Sequence, residues 1–136
     1  MSKQLVAVSL MVAAVSLTAY AGKRERDVMT KETIPAMRDA EAKYKESCGC
    51  PLAINVDDTL QSTDEFRTAK NLAKNVSENV AKYCSDAASK KALCQMKTLT
   101  VTKGHASFTF KDGHGVAMEN GQEYTTFEMM TRVLDK

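Results

Sequence analysis

The sequence predicts an α+β fold, with a mainly antiparallel sheet of about four strands packed against a long central helix and shorter flanking helices, stapled by disulfides. The spacing of apolar residues changes along the chain from steps of three and four to strict alternation, which indicates helices followed by strands. Four cysteines in a 136-residue chain with an export-type start indicate two disulfides. The predicted order is helix, strand, helix, helix, strand, strand, strand, helix, which is typical of a two-layer domain.

The start of the chain has the three parts of a secretory signal peptide. A basic residue, Lys3, precedes an apolar run over 5–17, and the small residues Ala19 and Ala21 suit a signal peptidase. The alternative is an uncleaved anchor, but the apolar run is shorter than the roughly 18–20 residues that span a bilayer. We therefore expect a signal peptide over 1–21 with cleavage after Ala21. The mature protein is expected to be periplasmic or secreted, without an integral membrane segment.

The charge of the remaining chain is almost balanced. The full sequence has 19 basic and 17 acidic residues, and the signal peptide removes one lysine, which leaves 18 against 17, a net charge of +1. This balance argues against nucleic acid as a partner, because nucleic-acid binding depends on a concentrated positive field. Residues 22–32 are charged with little apolar content and are expected to form a flexible segment. A single α+β domain is expected over 33–136.

The first helix of this domain is predicted to begin at Thr33, which can cap it, with Pro35 tolerated in the first turn. Gly49 and Pro51 end the helix. Its inward positions recur at steps of three and four residues and are Met37, Ala40, Tyr44 and Cys48.

A strand and the longest helix come next. Residues 52–57 alternate between apolar and polar, which is typical of a half-buried strand. A helix is predicted over about 64–83, after a cap at Ser62 or Thr63. Its apolar stripe comprises Phe66, Ala69, Leu72, Ala73, Val76, Val80 and Tyr83.

The second half of the chain changes to the period of strands. A short helix, capped by Ser85 and running to about Met96, precedes two alternating segments, 98–102 and 106–111. Asp112-Gly113 predicts a hairpin turn, because glycine adopts positive φ freely. The remaining elements are a third strand that contains Val116 and Met118 and a last helix over about 125–134 that buries Phe127, Met130 and Leu134.

The four cysteines are predicted to form two disulfides between distant parts of the chain. Cys48 and Cys50 are separated by one residue, so a bond between them would be strained. We favour the pairs Cys48–Cys84 and Cys50–Cys94, which join the ends of two helices and the approaches to two strands. The crossed pairing, Cys48–Cys94 with Cys50–Cys84, and the local pairing are alternatives. A zinc site is disfavoured, because Cys-x-Cys is tighter than the usual zinc spacing.

No pattern predicts a catalytic set, a cofactor or a metal site. His105 and His114 are expected at opposite ends of one strand, more than about 20 Å apart, which is too far to share an ion. Polar residues around the end of the first strand match no EF-hand spacing and are interpreted as helix caps and turns. These residues are Asn55, Asp57, Asp58, Asp64 and Glu65.

The functional expectation follows from this lack of catalytic chemistry. We expect a small exported, non-enzymatic binding protein of the inhibitor or immunity type, with another exported protein as its partner. The candidate binding surface is the flexible apolar group formed by Met118, Met129 and Met130. One alternative is a thiol-disulfide redox protein that uses Cys48 and Cys50. Another is an envelope structural or stress protein.

Overall fold

The computed structural model describes residues 22–136, and the predicted signal peptide lies outside the described residues. The helix Lys23–Val28 continues through a π-helical turn, Met29–Thr33, into the helix Ile34–Cys48. The elements are α1 Lys23–Val28, α2 Ile34–Cys48, β1 Ala53–Val56, α3 Thr63–Tyr83, α4 Ala87–Leu93, β2 Thr98–Lys103, β3 Phe108–Lys111, β4 His114–Glu119 and α5 Phe127–Leu134. These helices and one four-stranded sheet form an α+β fold.

The helical region begins ten residues earlier than the sequence pattern predicted. Residues 22–32, expected to be a flexible segment, are mostly helical, and Val28 and Met29 belong to the hydrophobic core. The Oγ1 atom of Thr33 is buried and donates to the backbone oxygen of Phe66 at 2.7 Å. Contacts with α3 therefore hold this region, and such tertiary contacts override a weak local pattern.

Helix α3 has 21 residues, a moderate length, and begins with a capping box. The backbone N–H of Glu65 donates to Oγ of Ser62, and the backbone N–H of Ser62 donates to Oε1 of Glu65 at 2.9 Å. Two amide groups that the first turn leaves unpaired are thereby satisfied. The following short helix, α4, is capped by Asp86 rather than by the predicted Ser85.

The sheet is mixed and mostly parallel, so the prediction of a mainly antiparallel sheet is wrong. The strand order is β1-β2-β4-β3, with β1 parallel to β2, β2 parallel to β4, and only β3 antiparallel to β4. Residues 104–107 carry the chain past the position of β4, so that β3 forms the outer edge and β4 returns between β2 and β3. The predicted turn at Asp112-Gly113 is present, with φ of 51° and 83°.

β4, which lies between β2 and β3, has two small residues on its inward side, Gly115 and Ala117. A Cβ atom added at Gly115 would lie 2.5 Å from the sulfur of Met96 and 2.9 Å from the ring of Phe108. Larger side chains from neighbouring elements therefore fill the space above β4, which also holds the fully buried Ala117. A side chain larger than that of glycine at position 115 would therefore crowd Met96 and Phe108.

Candidate binding face

All four cysteines are paired in the structure. Cys48 is bonded to Cys84 and Cys50 to Cys94, with Cα–Cα distances of 5.2 Å and 5.7 Å, and this is the pairing that the sequence analysis favoured. The described residues contain no free cysteine. A redox pair formed by Cys48 and Cys50 would require both of these disulfides to open first.

The outer edge of β1 is closed by two side chains of α2. The backbone N–H of Ile54 donates to Oε2 of Glu41 at 2.6 Å, and the backbone oxygen of Ile54 accepts from Nη1 of Arg38 at 3.2 Å. Arg38 and Glu41 are themselves paired at 2.6 Å. An exposed strand edge can recruit another strand, and side chains that occupy its backbone groups prevent this.

One face of the sheet carries no helix among residues 22–136. Along β2 and β4 burial alternates, so that every second side chain is inside the core and its neighbours face outward. The register aligns these outward side chains across the strands, as in the row Asn55, Thr100, Val116 and Thr109. We call this surface the open face, and it comprises Ala53, Asn55, Thr98, Thr100, Thr102, Thr109, His114, Val116 and Met118.

The centre of the open face is uncharged. Four threonines, an amide and two apolar side chains occupy positions about 4.8 Å apart across the strands and about 6.7 Å apart along them. Nδ1 of His114 lies 2.7 Å from Oγ1 of Thr98 at one end of the face. Charges lie at two diagonal corners, with Asp57 after β1 and Lys111 on β3. The short, β-branched side chains that favour strands thus make up much of this face.

The three predicted methionines do not form one surface. Met118 is half-buried on the open face, whereas Met129 is half-buried on α5, on the helical side of the sheet. Met130 is fully buried in the core, so its predicted place in a binding surface is wrong. The helical spacing of α5 explains this, because Met130 follows Phe127 by three residues and precedes Leu134 by four, and all three point inward.

A buried acid at the end of β4 was not recognised in the sequence. Glu119 is 0% exposed, and neither of its carboxyl oxygens has a partner at regular hydrogen-bond geometry among the described residues. Nearby, Nζ of Lys103 lies 3.0 Å from Oε2 of Glu65. We call Glu65, Lys103 and Glu119 the carboxyl-edge cluster. The alternation of Gly115 and Ala117 with larger residues was the available signal, since it places position 119 inward.

Burial and the neighbouring charge of Glu65 raise the pKa of Glu119 to about 8, although the N–H of Gly121 and the ammonium of Lys103 oppose the rise. For Glu65, burial raises the pKa, but backbone hydrogen bonds from Gln61 and Ser62 and the contact with Lys103 more than offset it. The net pKa of Glu65 is therefore lowered. The pKa values of two carboxyl groups in one cluster are thus shifted in opposite directions.

The other candidate residues lie in turns, caps and strand ends. Oδ1 of Asp57 accepts from the backbone N–H of Thr59 at 3.1 Å. His105 is exposed in the loop after β2, and His114 begins β4. Within residues 22–136, no group of three or more His, Cys, Asp or Glu side chains is placed to hold a metal ion.

None of the helices in this part of the chain combines the length and apolar character needed to cross a bilayer.

Two concavities lie on the helical side of the molecule. One, of about 520 Å³, follows α1, and there Glu32 pairs with Arg67 at 3.3 Å. The other, of about 240 Å³, lies between α3 and α5. Its Asn75 accepts from the backbone N–H of Phe127 through Oδ1, and Nδ2 of Asn79 donates to the backbone oxygen of Asn75, both at 2.7 Å. Polar side chains in each concavity thus already have partners within the chain.

Comparison with known proteins gives no second line of support for any of these surfaces. No protein-family model, no curated protein and no solved structure matches this chain.

Proposed function

We propose that this chain is a small exported, non-enzymatic binding protein that holds another exported protein against the open face of its sheet. The observation that carries the proposal is the uncovered face of a sheet with two parallel strand pairs. Sheets with parallel strands usually have both faces covered, because the helices that connect their strands lie on the two faces. Here one side is covered by helices of the same chain, and a partner supplies the other cover.

The chemistry of the open face supports binding rather than catalysis. The centres of protein interfaces are depleted of charged residues, and the centre of this face carries hydroxyl, amide and apolar groups only. His114 has a hydroxyl partner in Thr98 and no carboxylate partner among the described residues. Neither of the two concavities described above is lined by residues of this face, and small-molecule sites are concave.

Size and charge define the kind of partner. The rows and strands of the open face span about 14 Å by 13 Å, which is well below the roughly 800 Å² that a standard interface buries on each side. The adjoining loops, with Thr59 and His105, must therefore contribute. The partner offers a surface of mixed apolar and hydroxyl character, with an acidic group opposite Lys111 and a basic group opposite Asp57.

Two disulfides support the exported location. Both are cross-links between segments far apart in sequence, and such bonds persist mainly in oxidising compartments such as the periplasm and the extracellular space. The apolar run over 5–17 supports the same location as the core of a signal peptide.

Site-specific photo-crosslinking tests the proposal. A photoreactive residue at Thr100, in the centre of the open face, should give one stoichiometric adduct with a second exported protein in the native compartment. The matched control carries the same residue at Asn71, which is exposed on α3 on the helical side, and should give none. The variant Thr100→Lys should abolish binding of the purified partner, whereas Asn71→Lys should leave it unchanged.

Three outcomes would overturn the proposal. One is an equal yield of adducts at both positions, another is binding that survives Thr100→Lys, and the third is an adduct with the mass of two copies of this chain. The last result would assign the open face to self-association.

A further inference from the structure

The carboxyl-edge cluster lies where the parallel strands β2 and β4 end, beside the first turn of α3. Lys103 is the last residue of β2, Glu119 is the last residue of β4, and the register places them opposite each other. Glu65 approaches from α3, where it also completes the capping box. Three ionisable groups from three elements thus meet at one edge of the sheet.

Glu119 lacks the partner that an ionised carboxylate needs. The charged groups that act on it are Glu65 from α3 and Lys103 from β2, and the third neighbouring segment contributes the backbone N–H of Gly121. The ammonium of Lys103 is 3.0 Å from Glu65 and largely exposed, so it is already engaged. A buried carboxylate without a cation or several N–H donors is costly, and the neutral acid is far less so.

We propose that Glu119 is a proton-dependent latch: while it is protonated the segment 120–126 stays closed over the end of the sheet, and loss of the proton opens that segment. The segment is anchored at its far end, where Tyr124 forms a bridge with Glu119 and Thr125 is fully buried, whereas residues 120–123 bond mainly among themselves. The backbone N–H of Asn120 donates to the backbone oxygen of Glu123 at 3.1 Å, and that of Thr125 donates to the backbone oxygen of Met118 at 3.2 Å. Oγ1 of Thr125 also donates to the backbone oxygen of Ser107 at 2.6 Å.

Of the three elements around Glu119, the segment after β4 is the one that opens, because α3 and β2 are more firmly packed. Helix α3 and strand β2 belong to the core, with Phe66, Leu72, Leu99 and Val101 almost fully buried. Residues 120–123 are exposed or half-buried and form no part of a helix or strand. Local opening takes place preferentially in segments with few buried apolar contacts.

The difference in the pKa of Glu119 between the closed and open states determines how strongly opening depends on pH. The closed state binds a proton at Glu119 with a pKa of about 8, whereas the open state has an ordinary value near 4.5. Between these values the equilibrium constant for opening rises up to tenfold for each pH unit, and above pH 8 it levels off. The latch is therefore closed in mild acid and progressively released toward alkaline pH.

Hydrogen exchange of the full mature chain tests the latch. Protection factors of the amides in 120–125, corrected for intrinsic exchange, should fall about tenfold per pH unit between pH 5.5 and 8, while those of α3 change less. Glu119→Gln should remove this dependence, because the amide is neutral at every pH. The control Glu123→Gln changes an exposed acid of the same segment and should behave like the natural chain.

A second measurement keeps the proposal testable if Glu119→Gln does not fold. The side-chain carboxyl carbon of Glu119 can be followed by NMR in the unmodified chain. A midpoint between pH 7 and 9 supports the latch. A midpoint near pH 4.5, or protection factors in 120–125 that do not depend on pH, would overturn it.

Discussion

The backbone amide of Ile54 and the carboxylate of Glu41 form a hydrogen bond of 2.6 Å that closes the edge of the sheet. The bond links an edge strand to the helix that precedes it, and Arg38 occupies the neighbouring carbonyl oxygen. One ion pair on α2 thus takes up both outward-facing backbone groups of Ile54. This arrangement leaves the outward backbone groups of Ile54 unavailable to a strand of another chain.

Replacement of Glu41 by alanine is expected to reopen this edge. The variant should lose about 1 kcal/mol of unfolding free energy, because a charge-assisted hydrogen bond disappears at a half-exposed site. It should also self-associate more readily at high concentration, since a free strand edge becomes available. Urea unfolding and analytical ultracentrifugation measure the two effects. Glu46→Ala, an exposed acid on the same helix, is the matched control, and equal behaviour of the two variants would refute the role of Glu41.

Removal of either disulfide is expected to cost much of the stability of the fold. The bonds close loops with sequence separations of 36 and 44 residues, which corresponds to about 4 kcal/mol each by the chain-entropy estimate. The double variants Cys48→Ser with Cys84→Ser, and Cys50→Ser with Cys94→Ser, should each unfold at a clearly lower guanidinium concentration. A loss below about 1 kcal/mol in both would show that neither cross-link restrains the unfolded chain.

Gly115 and Gly104 offer a matched test of packing in the sheet. A Cβ atom at Gly115 would meet the sulfur of fully buried Met96 and the ring of Phe108, so Gly115→Ala should destabilise by about 1–3 kcal/mol. At Gly104 the added atom would meet the half-buried side chain of Met118, which can move aside. Gly104→Ala should therefore cost less. Thermal unfolding compares the two variants, and the reverse order of cost would contradict the strand arrangement around β4.

The overall stability of the chain should depend on the protonation of Glu119. Its pKa is raised in the folded state, so its contribution is fully present below pH 4.5 and is lost as the pH rises toward 8. The free energy of unfolding should fall by up to about 1.4 kcal/mol per pH unit in this range, and less in Glu119→Gln. Glu65 has a lowered pKa, so its contribution is lost only in more acidic solution. Denaturant unfolding at pH 5, 6.5 and 8 measures the difference, and parallel curves for the two proteins would exclude it.

Local features of the fold could be predicted from the sequence, because they depend on residues close together in the chain. The stripe of α3, the cap at Ser62 and the turn at Asp112-Gly113 are of this kind. The order of the strands could not be predicted, since it depends on contacts between separate elements, such as the packing of Met96 and Phe108 around Gly115. The early start of the helical region was missed for a similar reason, because only contacts with α3 stabilise it.

The candidate site was predictable only in part. The alternation of Thr98, Thr100 and Thr102 with core residues already marked one outward side of a strand. Whether a helix covers that side depends on how the elements pack, which local alternation does not indicate. Met130 was misplaced because an apolar residue on a short helix suits both a surface and a core. Glu119 was overlooked because burial of an acid runs against the usual distribution of residues.

The two cross-links also determine what happens when the backbone is cut. Because Cys48 is tied to Cys84 and Cys50 to Cys94, a single cleavage anywhere between residues 48 and 94 leaves both fragments covalently joined. A protease that nicks the exposed start of α4 would therefore not release either piece until a reductant is supplied. In an environment rich in proteases, this chain can survive such damage as one connected molecule.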